Sequence, residues 1–177
     1  LEEVASVNLG AVRLSLHTGT HADAPFHVRA GGARIGGLDL GAFLGPARVV
    51  DVRGEESLSA KVMASALGDS PCERLLLRTG AWDAASDFPT GFLTLEPDAV
   101  ELLRGAGVRL FGTDAPSVDR FDSKDLPVHH ALFDAGISIL ENLDLTGVGP
   151  DIYELVALPL KLLEGDGSPV RAVLRQS

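Results

Sequence analysis

His17-Thr18-Gly19-Thr20-His21-Ala22-Asp23-Ala24-Pro25-Phe26-His27 carries three of the five histidines of this 177-residue chain, with a carboxylate among them. No other stretch is as dense in side chains that ligate metals. Imidazole and carboxylate are the donors a borderline cation such as zinc takes. Spacing sets the condition. In a flat strand His17 and His21 would stand roughly 13 Å apart, far beyond ligand bonds of about 2 Å. In a regular helix these two histidines would share a face while Asp23 pointed elsewhere. Convergence therefore requires the chain to curl, and Gly19 and Pro25 supply one flexible point and one stiff one. The competing reading is a surface loop with scattered histidines, which suits a lone histidine better than three histidines and an aspartate.

Composition narrows the function classes. Apolar residues make up 45% of the chain and mean hydropathy lies slightly above zero, so a packed core is expected. A formal charge of −10 with 15 dispersed basic residues speaks against a nucleic-acid surface, which needs clustered Lys and Arg. No apolar run reaches transmembrane length and no secretory signal is visible. The single cysteine, Cys72, excludes an intrachain disulfide framework and fits a reducing, cytoplasmic setting. Its expected role is that of a small buried apolar side chain. The chain begins at Leu1, and a segment upstream of it is expected.

Outward from the histidines, Val4 to Leu16 reads as an extended strand and the histidine segment as a loop. Ala47 to Val52 and Arg74 to Arg78 read as buried strands. A helix is expected from Leu58 to Leu67, capped by Ser57 and stopped by Gly68. Ala81 to Gly91 is turn-rich and carries Trp82 and Phe88. Thr94 is placed to cap a helix running to Arg104. Val108 to Gly112 is a strand leading into the polar loop 113–119. His129 to Ala135 reads as a short helix closed by Gly136, and Ile137 to Leu140 as a strand ending at Glu141. Tyr153 to Leu162 and Val170 to Leu174 are the last two expected strands, separated by the turn 165–169. Strands and helices alternate first and strands cluster later. The expected class is α/β, a single domain over residues 1–177 with a mixed sheet curled toward a barrel and flanked by helices.

The segment HTGTHADAPFH fits the pattern H-x-G-T-H-x-D-x-P-x-H of the cyclase family of metal-dependent amidohydrolases. The stretches LLLRTG (75–80), VRLFGTDAPSVD (108–119), DSKDLPVHHALFDAGISILENL (122–143) and YELVALPLKLLEGDGSPVRAVLR (153–175) follow in the family's order. Over nearly its whole length the chain resembles the bacterial kynurenine formamidase branch of that family. The resemblance implies a swivelling β/β/α fold, a homodimer and two Zn2+ per subunit, with Mn2+ as the alternative cation. It also implies roles. His17, His21 and Asp23 are ligands, Asp23 bridges the cations, and His27 carries protons. A histidine twelve residues before a glutamate completes the set, which selects His129 with Glu141 over the neighbouring His130. Relatives carry a strand and a polar, aromatic segment ahead of the first motif, most of it absent from this sequence.

The implied reaction is hydrolysis of an aryl formamide, N-formylkynurenine, to kynurenine and formate. Trp82 follows a strand end, where α/β sheets place ligand loops, and is the expected contact for the substrate's ring. Phe26 and Phe88 are equally suited to core packing. Asp114, Ser117 and Asp119 suit either a substrate ammonium or turn stabilisation. Two rivals stand beside this reading. One is a family relative opening a cyclic amide such as isatin. The other is a non-catalytic metal-stabilised binding protein, against which His27 speaks as a titratable side chain that a closed structural site does not need.

Overall fold

The computed structural model describes residues 7–82 and 87–176. Among these, eight strands form one mixed sheet in the order β7-β1-β5-β4-β3-β2-β6-β8. The strands are β1 (His21–Asp23), β2 (Leu44–Asp51), β3 (Arg74–Arg78), β4 (Leu110–Thr113), β5 (Ser138–Glu141), β6 (Asp151–Val156), β7 (Gly167–Pro169) and β8 (Val173–Arg175). The four central strands β2 to β5 run parallel. They are joined by α1 (Ala60–Leu67), α2 (Pro97–Gly105) and α3 (Pro127–Asp134), the crossover that parallel pairing requires.

Alternation of side chains along each strand divides the interior in two. Leu75, Leu77, Phe111 and Ile139 face the helices, packing with Met63, Leu67, Leu103 and Leu132. Leu76, Leu110 and Leu140 face the other way, onto Ala22, Phe43, Tyr153 and Leu155. Burial on both faces explains why β3 reads as an uninterrupted run, Arg-Leu-Leu-Leu-Arg. The buried Arg74 at its start donates to the carbonyls of Gly41, Ala42 and Pro46, fastening the segment before β2 onto the sheet. β7 and β8 stand at opposite ends of the strand order yet are separated only by residues 170–172. The sheet must therefore curl until its two edges are spanned by one stretch of chain, the barrel tendency expected from the sequence.

Several boundaries differ from the sequence reading. The cap of α1 is Ser59, whose hydroxyl accepts from the Val62 amide, because Leu58 is buried and bridged to Leu95 and remains extended. Thr94 does not cap α2. Its carbonyl accepts from the Leu58 amide, and the helix starts at Pro97, where fixed φ and a missing N–H cost nothing. The expected strand to Leu162 stops at Val156, short of Pro159, which has no N–H for a ladder. The expected strand 170–174 is reduced to its end, in β8, because residues 170–172 carry the chain from one sheet edge to the other, and the expected turn 165–169 contains β7. The expected strand from Val4 begins outside the described residues. Its described part, 7–16, joins no ladder, and Val7, Leu9, Val12 and Leu14 stay exposed. Part of the Ala81–Gly91 turn, residues 83–86, also lies outside the described residues. Cys72 is buried, and burial pushes its thiol pKa up.

Candidate metal centre

The histidine segment is only partly the expected loop. Residues 16–20 turn, with Gly19 at φ +63°, a left-handed conformation that favours glycine. The chain then enters β1, paired on one side with β5 and on the other with β7. His21 and Asp23 alternate onto one face while Ala22 enters the core on the other. A 3-10 turn, Pro25–His27, follows. A strand flanked by two turns thus produces the curl that convergence requires. The rings of His17 and His21 lie 5.0 Å apart, and those of His17 and His27 4.0 Å apart.

The remaining expected residues come from far along the chain. Glu141 is the register partner of His21 across the β1–β5 pair. His129 lies on the first turn of α3, where its ring nitrogen Nε2 stands 3.2 Å from Asp23 Oδ2 and 3.4 Å from Glu141 Oε1. His130 points away from this cluster and pairs with Arg29. Two donor groups result, His17–His21–Asp23 and Asp23–His129–Glu141, with the ligand atoms of each lying within 4.8 Å of one another. Asp23 belongs to both.

Each imidazole has its outer nitrogen occupied. His21 Nδ1–H donates to the Gly19 carbonyl at 2.7 Å, leaving Nε2 toward Asp23 and Glu141. His129 Nδ1 meets Asp119 Oδ2 at 2.7 Å. His17 Nε2 meets Asp166 Oδ2 at 3.1 Å while its Nδ1 stands 2.8 Å from Asp23 Oδ1. An outer partner that fixes ring orientation and tautomer is the usual support for a metal-ligating histidine. Asp119 also caps α3, accepting the amides of Val128 and His129, both at 3.0 Å. Glu141 Oε1 accepts from the Val118 amide at 2.8 Å.

Electrostatics indicate what the cluster lacks. Asp23, Asp119 and Glu141 are all buried with His21 and His129, and buried carboxylates are costly unless paired with positive charge. Without a cation the imidazoles must supply that charge. Burial lowers the His129 pKa, but Asp119, Asp23 and Glu141 outweigh it and push the value up to about 11. Against the effect of burial, His17 is likewise raised by Asp23 and Asp166, and His21 by Glu141 and Asp23. Burial raises the Asp23 carboxyl, yet its contacts with His129, His17 and His21 hold it well below the ordinary carboxylate range. Asp23 Oδ1 is buried and receives no aligned hydrogen bond. An orphaned anionic oxygen amid inward imidazole nitrogens fits a divalent cation.

His27 stands at the mouth, its side chain 31% exposed, with Nδ1 3.3 Å from Asp166 Oδ2. Trp82 is 40% exposed and lines a cavity of about 350 Å3 with Gly19, Thr20, Asp114 and Asn142. Since Thr20 precedes His21 and Asn142 follows Glu141, that cavity borders the centre. Trp82 meets Phe88 edge-on at 5.8 Å, and Phe88 meets Phe121 at 5.9 Å. Phe26 is instead covered by the guanidinium of Arg34. Of the two readings open for Asp114, the structure takes turn stabilisation: it accepts from the Thr79 amide and hydroxyl and the Gly80 amide, anchoring the loop that presents Trp82. Asp119, expected either at a substrate ammonium or in a turn, instead holds the His129 ring and the start of α3, and Asp166 is a supporting residue that the sequence did not single out, because its partner His17 lies 149 residues away. A carboxylate eight residues before the start of α3 and a turn aspartate give no local signal of such a role.

The family model described as "Putative cyclase" matches residues 5–120, well over half of the chain. The kynurenine formamidase of Salinibacter ruber is 50% identical over 177 residues, covering 99% of this chain and 84% of the relative. That of Bacillus cereus is 48% identical over 174 residues, covering 98% and 83%. Among solved structures, a protein described as a potential metal-dependent hydrolase with cyclase activity superposes with a TM-score of 0.82 at 31% identity, covering 93% of this chain and 82% of that one. Isatin hydrolase A from Labrenzia aggregata superposes with a TM-score of 0.74 at 28% identity, covering 90% and 73%. With its motif, its fold and its relatives in agreement, the chain belongs to the cyclase family.

Proposed function

We propose that this chain hydrolyses N-formylkynurenine to kynurenine and formate, using two divalent cations that share Asp23. The observation that carries the proposal is Asp23 itself, a buried carboxylate common to both donor groups, with one oxygen that receives no aligned hydrogen bond, and His27 beside the His17 ring at the open mouth. The two formamidase relatives at about half identity over nearly the full chain support the same substrate.

His17, His21 and Asp23 would hold one cation, and Asp23, His129 and Glu141 the other. Zinc suits these nitrogen and oxygen donors best, with manganese second. Cations held there supply Lewis acidity, lowering the pKa of water toward about 7 and polarising the formyl carbonyl. The chain's own residues complete the reaction. An aniline leaves poorly as an anion, so its nitrogen needs a proton as the C–N bond breaks. His27, exposed at the mouth and reaching inward to the rings of His17 and His129 at 4.0 and 6.0 Å, takes a proton from the attacking water and returns it to that nitrogen. Trp82, with Phe88 and Phe121 behind it, offers a ring face to the aryl group. The working form is a cytoplasmic homodimer. Support for the dimer comes from the exposed apolar row Val7, Leu9, Val12 and Leu14, and support for the compartment from the lone buried thiol. No helix among the described residues is long and apolar enough to cross a membrane.

The test is formate release from N-formylkynurenine by zinc-loaded and by chelated protein. Zinc-dependent release is expected, and equal rates in the two samples would remove the metal from the proposal. The likeness to isatin hydrolase favours a second reading, opening of a cyclic amide. Faster turnover of isatin than of N-formylkynurenine would select it.

A further inference from the structure

The function above uses five metal-ligating side chains and His27, and leaves Asp166 unassigned. A single oxygen of Asp166, Oδ2, stands 3.1 Å from His17 Nε2 and 3.3 Å from His27 Nδ1. The aspartate is held there by its own backbone. Its carbonyl accepts from the Ala24 amide at 2.9 Å, one residue beyond Asp23, and the neighbouring Gly165 carbonyl accepts from Ile35 at 3.0 Å. On the other side, a Cβ at Gly167 would lie 2.7 Å from the His17 ring. The turn and the ring are therefore in direct contact, and the carboxylate has little freedom to wander.

We propose that Asp166 is a positioning residue that sets the tautomers of His17 and His27 together, aiming one at the cation and the other at the substrate. This rests on the reading of His27 as the proton carrier. A carboxylate oxygen only accepts. Meeting it, His17 must place its hydrogen on Nε2, which leaves the Nδ1 lone pair directed at the Asp23 side. By the same rule His27 places its hydrogen on Nδ1, which leaves Nε2 as the basic nitrogen free to face the water and the leaving group. One acceptor thus fixes a ligand and a proton carrier in mutually consistent states, and ties both to the turn that follows Glu164. An outer partner of a metal-bound histidine is worth about 10- to 100-fold in metal affinity or activity. The same three side chains also lie close enough to hold a cation of their own. That arrangement would engage the His27 nitrogen Nδ1 in ligation, and the experiment separates the two.

The test uses the full chain, zinc-loaded, as wild type, Asp166→Ala, Asp166→Asn, His27→Ala and the His27→Ala/Asp166→Ala double variant. Zinc affinity is read by chelator competition, zinc stoichiometry by elemental analysis, and kcat and KM at saturating zinc with N-formylkynurenine. Asp166→Ala is expected to weaken zinc binding about 10- to 100-fold. At saturating zinc it should lower kcat by a similar factor with KM little changed. Asp166→Asn keeps one acceptor oxygen and should recover part of both losses. In the His27→Ala background, removing Asp166 should cost no further kcat, because its effect on turnover passes through that ring. Multiplicative losses in the double variant would overturn the proposal, as would wild-type zinc affinity and kcat in Asp166→Ala. A third zinc per subunit that disappears with Asp166 would overturn it in favour of a cation site. If His27→Ala alone keeps full turnover, the proton-carrier reading fails instead, while the zinc-affinity arm still reports on Asp166 through His17.

Discussion

Asp23 and His27 lie four residues apart and differ in burial, and their substitutions should separate accordingly. Asp23 is 1% exposed and stands in both donor groups, so Asp23→Ala should strip zinc from the protein, as elemental analysis would show. His27→Ala should keep its zinc and lose about 10²- to 10⁴-fold in kcat, the usual contribution of a positioned acid–base group. A zinc-replete His27→Ala with undiminished formate release would contradict that assignment. These residues were legible because metal-ligand side chains crowd one short segment. His129 was legible only through its resemblance-based spacing to Glu141, since a histidine pair on a short helix carries no local mark of which ring turns inward. Register decides that: His129 falls on the face beside Asp119 and Asp23, and His130 on the face beside Arg29.

At the level of elements, the centre is assembled by β1 lying between β5 and β7, with α3 closing one side. Two connections can be tested. Gly167 on β7 leaves no room for a side chain, since a Cβ would meet His17 Cε1 at 2.7 Å and the Ala22 carbonyl at 3.0 Å. Gly167→Ala should push the His17 ring off Asp23 and weaken zinc binding, at about 1–3 kcal/mol of stability from overpacking. Chelator competition together with urea unfolding would measure both effects. Asp119 joins the cap of α3 to the His129 ring. Asp119→Ala should cost about 1 kcal/mol through the lost cap and should also lower zinc affinity. A variant with the stability loss and unchanged zinc affinity would mean that Asp119 only caps. The three helices and the central strands β2 to β5 followed from apolar runs and glycine stops, whereas the starts of α1 and α2 and the short strands β1 and β7, which lie in an expected loop and turn, did not. Pairing of Leu58 with the 94–96 backbone keeps both segments extended beyond their apparent caps.

For the whole molecule, the buried cluster makes stability depend on pH in opposite senses with and without metal. In the cation-free protein His17, His21 and His129 have raised pKa values. A group of this kind stabilises the fold fully below its unfolded value near 6.5, and the contribution is lost as pH rises toward the folded value, about 11 for His129. The chelated protein should therefore melt at progressively lower temperature as pH rises above about 6.5. Zinc needs the same nitrogens deprotonated, so the rise in Tm on adding zinc should be larger at about pH 8 than at about pH 6. Scanning calorimetry of both forms across that range checks the two slopes. A chelated protein that gains thermal stability through the same interval would show that these imidazoles are not charged in the folded state.

By itself the sequence determined the chemistry available and the kind of fold. Ligand side chains in one dense segment specify a cation site, and buried runs alternating with glycine-stopped helices specify a parallel α/β centre, because both signals are local in the chain. Only the tertiary structure decided which distant groups complete the centre. Glu141 meets His21 through strand register, His129 enters through the angle of α3, and Asp166 arrives across 149 residues from His17. Such partners are set by how the sheet curls and where its last strand crosses between edges, and that closure depends on the packing of every layer at once.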